Sequence, residues 1–221
     1  MENTKKKNTF INRRIPLASM LYVKIAERFV TGKGMDCSVI NKMSNKGDET
    51  PKLPLKDVLD FWEKAAVLIK DEALGLSIGI NSHLTDYGMI SHILMNSQNL
   101  YKALKLIDFY RYLMNECFES KLFCKGNIVH YKLDFTYEHP ASYHLIEFHF
   151  SSIIHLGKQI ARVNKKHDIS PYKVEFSHAP KAPIKEYQRI FGENIKFNQN
   201  KNSLLFLNET LLISTHSPNE E

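Results

Sequence analysis

A chain of 221 residues fits one large domain, or a domain with a short appendage. With 43% hydrophobic and 24% charged residues it can bury a core that needs neither a metal nor a disulfide framework for stability. The net charge of +6 permits contact with nucleic acid without demanding it, and no apolar run approaches the ~18 residues of a membrane-spanning helix.

Residues 1–14 are expected to be a basic flexible leader, since Lys5, Lys6, Lys7, Arg13 and Arg14 crowd it. Pro16 interrupts the apolar run behind this leader and Lys24 and Glu27 close it, so the start does not read as a signal peptide. From Leu17 to Val30 the apolar spacing predicts a buried helix, stopped by Gly32-Lys33-Gly34. Asp36 is placed to cap a short helix running to about Met43, and residues 44–53 read as a loop. Pro54 opens a helix over 55–70 with Val58, Leu59, Trp62, Ala65 and Ala66 inward. A short helical piece spans 73–80, and a turn at Thr85-Asp86-Tyr87-Gly88 leads into the apolar segment Met89 to Met95.

Ser97 has the character of an N-cap for a strong helix over 98–115, with Leu100, Ala103, Leu104, Ile107, Tyr110 and Met114 as its inner stripe. Leu106, Phe109 and Leu113 point away from that stripe and must be covered, either within the domain or by a two-fold partner. Residues 118–124 and 127–137 alternate as strands around a hairpin turn at Lys125-Gly126-Asn127. A long helix over 140–163 follows. Then come a strand at 172–176, a helix at 184–191 closed by Gly192, and short strands at 195–197 and 203–207. Helices first, then strands mixed with helices, predict an α+β domain: a helical N-terminal half packed with a small, mainly antiparallel sheet and a long helix. The expected division is 1–14 leader, 15–213 globular domain and 214–221 polar tail. Three cysteines, Cys37, Cys117 and Cys124, form no disulfide framework and suggest reduced thiols in the cytoplasm.

The order of these pieces resembles the N-terminal arabinose-binding sensor domain of AraC-type transcription regulators, in the branch that includes ornithine- and arginine-responsive regulators. The likeness runs from Gly34 to Leu211. It rests on Gly34-Met35-Asp36, on Trp62 with Ala65, on Asp71, Leu74-Gly75-Leu76 and Gly79, and on Gly88, Ser97, Leu100, Ala103 and Leu104. The closing part is Val174-Glu175-Phe176-Ser177-His178 with Pro180, Tyr187, Phe191-Gly192, Phe197, Asn202, Leu204, Phe206 and Leu211. The resemblance implies a domain that binds a small intracellular effector and sets a dimer to control transcription. A stand-alone sensor or protein-interaction module that does not bind DNA is the other reading. Such regulators continue into helix-turn-helix units. This sequence ends in Ser-Pro-Asn-Glu-Glu soon after the last matching position, so DNA contact is expected only through a module absent from it.

No Gly-rich phosphate loop or Cys-x-x-Cys pair is present, Gly75-Leu76-Ser77-Ile78-Gly79 has the letters of Gly-x-Ser-x-Gly but lies within the helical piece over 73–80 and not at a strand-to-helix elbow, and neither an enzymatic activity nor a cofactor is expected. His144 and His149 are five residues apart with Glu147 between them, which is not the spacing of a helical zinc pair, and no metal is expected. At 100° per residue, His144, Glu147, Ser151, His155, Lys158 and Arg162 share one side of the long helix and read as a solvated stripe. His149 lies in the middle of the opposite, apolar side, where its imidazole needs a core carbonyl or a ligand as partner. Arg111, beside Leu104 and Ile107, needs an anion, either a core carboxylate or an acidic effector. His178 follows a strand and precedes Pro180, at a sheet edge or in a turn. Arg111, His149 and His178 are therefore the candidate ligand-binding residues, with Phe135, Tyr137, Phe150 and Phe176 as walls of an apolar pocket between the two long helices and the sheet. An aromatic lining favours an acid with a sizeable apolar part over a bare sugar.

Overall fold

The computed structural model describes residues 15–38, 52–161 and 169–215. The leader over 1–14, most of the loop and short helix over 36–53, Arg162 and Val163 of the long helix, and the tail beyond Thr215 lie outside the described residues.

Strand β1 (Leu17–Ser19) precedes helix α1 (Leu21–Gly32) and pairs antiparallel with β2 (Lys52–Pro54). Both strands fall where a helix start and a loop end were expected. Leu53 and Ala18 are buried opposite one another, so the pairing closes the helical layer over an apolar contact. Helix α2 (Leu55–Ile69) buries Trp62, whose indole N–H donates to the Tyr22 carbonyl at 3.2 Å. Helix α3 (Leu74–Gly79) starts after Asp71, whose carboxylate accepts from the Ala73 N–H at 2.9 Å and the Ser77 hydroxyl at 2.6 Å. A 3₁₀ turn (Leu84–Tyr87) leads into α4 (Met89–Met95).

Helix α5 (Leu100–Met114) is capped by Asn99, whose Oδ1 accepts from the Lys102 N–H at 2.9 Å. The expected cap, Ser97, instead donates back to the Ile93 carbonyl at 3.1 Å. Only Gln98 separates the two positions, and Asn99 wins because its extended backbone puts its side chain one turn short of a free N–H.

The hairpin β3 (Phe118–Lys125) and β4 (Ile128–Phe135) forms with Gly126 at φ +59° in its turn. Helix α6 (Ser142–Ile160) follows, then β5 (Lys173–Glu175), α7 (Ile184–Phe191), β6 (Ile195–Lys196), β7 (Asn202–Leu207) and the short α8 (Asn208–Leu211). The sheet order is β3-β4-β7-β5-β6, antiparallel throughout except for the β5–β6 pair. Strand alternation buries Val129, Tyr131 and Leu133 while His130 and Lys132 look outward.

Helix α6 is the central element of this α+β fold. One side meets the sheet through Tyr131 and Phe176, and the other meets α2 and α3. The expected solvated stripe is thereby overturned: His144 is 1% exposed, and Glu147 and Ser151 are 0% exposed. The reason is α3. A Cβ on Gly75 would collide with the His144 carbonyl oxygen, and one on Gly79 with Ser151 Oγ, so two glycines four residues apart bring the α3 backbone directly onto the stripe. Farther along the same stripe, His155 is half-buried and Lys158 exposed.

Candidate functional site

Between α5 and α6 lies a cavity of about 60 Å³. Ile107, Tyr110, Arg111 and Met114 come from α5, and Phe148, His149, Ser152, Ile153 and Leu156 from α6. Tyr87, Ile90 and Leu94 from the 3₁₀ turn and α4, with Tyr22 of α1, complete it. A second void of about 30 Å³ shares Leu94, Ile107, Ile153 and Leu156 with the first and continues between the same two helices.

The expected pocket lay between these two helices and the sheet. The structure keeps the helices but substitutes α4, the 3₁₀ turn and α1 for the sheet. Of the expected walls, Phe135, Tyr137, Phe150 and Phe176 are all absent from the lining. Phe150 and Phe176 pack on each other instead, with centroids 5.6 Å apart in the core.

Arg111 and His149 both line the cavity. Arg111 donates through Nη1 to the Phe118 carbonyl at 2.7 Å and through Nε to the Ser120 hydroxyl. Asp108 lies 3.6 Å from the guanidinium, and Ser120 also donates to Asp108. The protein thus supplies the carboxylate that the sequence required as one alternative for Arg111. His149 Nε2 lies 2.7 Å from the buried Tyr131 hydroxyl. Burial, with the Arg111 charge adding to it, depresses the imidazole to about 4, so it is neutral at pH 7.

The 3₁₀ turn is pinned over the cavity by an ion pair between Arg28 of α1 and Asp86, whose other oxygen accepts from the His83 N–H at 2.6 Å. This positions Tyr87, whose hydroxyl lies toward Ser152 and Ser82. Neither the Tyr87 hydroxyl nor Ser152 Oγ makes a hydrogen bond of ordinary geometry, although both atoms are buried. Sequence reasoning passed over both residues. Ser152 could have been found, because it sits three residues after His149 and so on its side of the helix. Tyr87 stood in a turn with no sign of which way it faced.

His178 is elsewhere, in a polar cluster where α6 meets α7. The Tyr187 hydroxyl donates to Glu147 Oε1 at 2.5 Å and accepts from the Lys181 N–H at 2.9 Å. His178 Nε2 is 3.8 Å from the same carboxyl, and its Nδ1 is 2.8 Å from the Ala179 carbonyl. Burial raises the Glu147 carboxyl to about 8, while it lowers His178 to about 4 and His144 to about 3. At neutral pH the cluster is therefore a set of neutral groups. It packs α6 against α7, and among the candidates only Arg111 and His149 share the cavity.

Asp60, Glu63 and His139 place possible metal-ligand atoms within 4.8 Å of one another. The Ala141 N–H donates to His139 Nδ1 at 3.1 Å, which puts the ring proton on Nε2, facing Asp60 at 3.1 Å. Lys56 holds the same carboxylate at 2.5 Å. A metal on Nε2 would force a proton onto Nδ1 against the Ala141 N–H, so His139 serves here as a hydrogen-bond donor to an Asp60 that is ion-paired with Lys56. Among the described residues no helix is long and apolar enough to cross a membrane.

Residues 46–212 match the family described as the arabinose-binding domain of AraC transcription regulators, N-terminal. The crystal structure of the transcriptional regulator CdpR from Pseudomonas aeruginosa is similar over 86% of this chain and 56% of that one, with a TM-score of 0.60 and 14% identity. That likeness concerns the fold, and this chain spans little more than half the length of CdpR. No curated protein matches the sequence significantly.

Proposed function

Since the chain belongs to the family of N-terminal arabinose-binding domains of AraC transcription regulators, we propose that it binds a small effector in the cavity between α5 and α6 and pairs with a second copy through α5. The observation that carries the reading is that α5 serves both surfaces. Its inner side supplies Ile107, Arg111 and Met114 to the cavity. Its outer side leaves Phe109 75% and Leu113 55% exposed, with Tyr112 55% exposed beside them, so of the three residues expected to be covered only Leu106 is packed against the core among the described residues. An effector that binds better to one placement of α5 shifts the pairing by its differential affinity. In this reading DNA is contacted through a part of the protein other than this domain.

The reading is of a binding domain and not an enzyme. It is supported by the cavity histidine, which is bonded to Tyr131 and not to a serine or thiol nucleophile. The free thiols of Cys37, Cys117 and Cys124 support a reducing, cytoplasmic setting. A thermal-shift screen of cellular metabolites tests the proposal, since a ligand at 100 times its dissociation constant adds about 2.7 kcal/mol of stability. A hit is expected to lose its shift in Ile153→Trp, which fills the cavity. A shift that survives this substitution, together with Arg111→Ala and His149→Ala, overturns the site.

A further inference from the structure

We propose that the cavity takes a small uncharged molecule with an oxygen head group, a carbonyl or hydroxyl, seated at Tyr87 and Ser152, and an aliphatic body running between α5 and α6. The inference rests on the reading of this cavity as the effector site and names the chemistry it selects. The polar groups divide into satisfied and unsatisfied ones. Arg111 is engaged by Phe118, Ser120 and Asp108, and His149 by Tyr131. The Tyr87 hydroxyl and Ser152 Oγ are buried facing one another, neither makes a hydrogen bond of ordinary geometry among the described residues, and each can both donate and accept.

A bound oxygen atom would satisfy both hydroxyls at once, which is what a buried polar atom requires. A carboxylate fits worse. Its charge would leave water for a site whose one cation is already answered by Asp108, and the neutral imidazole of His149 offers no second. Apart from Tyr22 and Tyr110 the rest of the lining is apolar, and Leu94, Ile107, Ile153 and Leu156 also line the second void. These aliphatic walls suit an aliphatic body. The combined space is small, and the ligand is accordingly limited to a few heavy atoms.

The test uses two probes of matched carbon skeleton, butan-1-ol and butyrate, followed by methyl NMR of Ile90, Leu94, Ile107 and Ile153. Butan-1-ol is expected to perturb these methyls saturably, with butyrate weaker by about tenfold or more. Tyr87→Phe and Ser152→Ala should each weaken butan-1-ol by about threefold or more, without lowering the melting temperature of the free protein, because each removes a buried hydroxyl that makes no hydrogen bond of ordinary geometry. Butyrate binding as tightly as butan-1-ol, or both variants binding butan-1-ol like the wild type, overturns the proposal and leaves the cavity as a site. Methyls that respond to neither probe overturn the reading of the cavity itself.

Discussion

The Tyr187 hydroxyl reaches across from α7 to hydrogen-bond Glu147 in the middle of α6, at 2.5 Å. It holds in place a carboxyl group that burial keeps protonated up to about pH 8. His178, Lys181 and Asp71 also face this carboxyl.

The contribution of Glu147 to stability should therefore fall as pH rises from about 4.5 to about 8, because in that window the unfolded chain ionises Glu147 and the folded one does not. Glu147→Gln keeps the shape and removes the titration. It is expected to flatten the decline and to raise stability at pH 8 by on the order of a few kcal/mol. Urea unfolding at pH 5, 6.5 and 8 measures this, and parallel pH profiles for the two proteins would exclude a buried, protonated Glu147.

The acid side has the opposite sign. His144, His149 and His178 are held below their ordinary 6.5, at about 3, 4 and 4, all chiefly by burial. Below pH 6.5 the unfolded chain takes up these protons first, so stability is lost as pH falls toward 4. Together with Glu147 this places the optimum near pH 6.5. His144→Phe should reduce the acid sensitivity, seen as a smaller drop in melting temperature between pH 6.5 and 4.5.

The α3–α6 contact leaves no room for a methyl group. Gly75→Ala directs its Cβ onto the His144 carbonyl and Gly79→Ala directs its own onto Ser151, and each should cost roughly 1–3 kcal/mol or more. Gly32→Ala, at the end of α1 with nothing within 4 Å, serves as the control and should be neutral or slightly stabilising. Equal effects at all three positions in chemical denaturation would argue against the close packing.

Asn99→Ala should destabilise by about 1 kcal/mol through loss of the α5 cap, and Ser97→Ala by less. The reverse order in a thermal melt would restore the cap to the position that the sequence suggested.

Phe109→Glu, on the exposed side of α5, should convert the proposed dimer to a monomer in light scattering while leaving the melting temperature of the subunit unchanged. A wild-type protein that stays monomeric at high concentration removes the pairing from the proposal.

The sequence by itself determined the longer helices and the hairpin, though not the short β1–β2 pair, because caps, glycines and apolar spacing act over a few residues. Helix α7 runs from Ile184 to Phe191 with Gly192 at φ +84° behind it, where the pattern placed it, and Gly126 turns the hairpin as expected. It also put His149 on the inner side of α6 and Arg111 on the inner side of α5. Tertiary structure decided what met those faces. A polar stripe reads as solvated in any single helix, and only the approach of α3 through Gly75 and Gly79 buried His144, Glu147 and Ser151. In the same way α4 and the 3₁₀ turn, pinned by Arg28 and Asp86, took the place expected for the sheet and brought Tyr87 to Ser152. These contacts join residues far apart in the chain. They depend on the packing of whole elements, which local spacing does not encode.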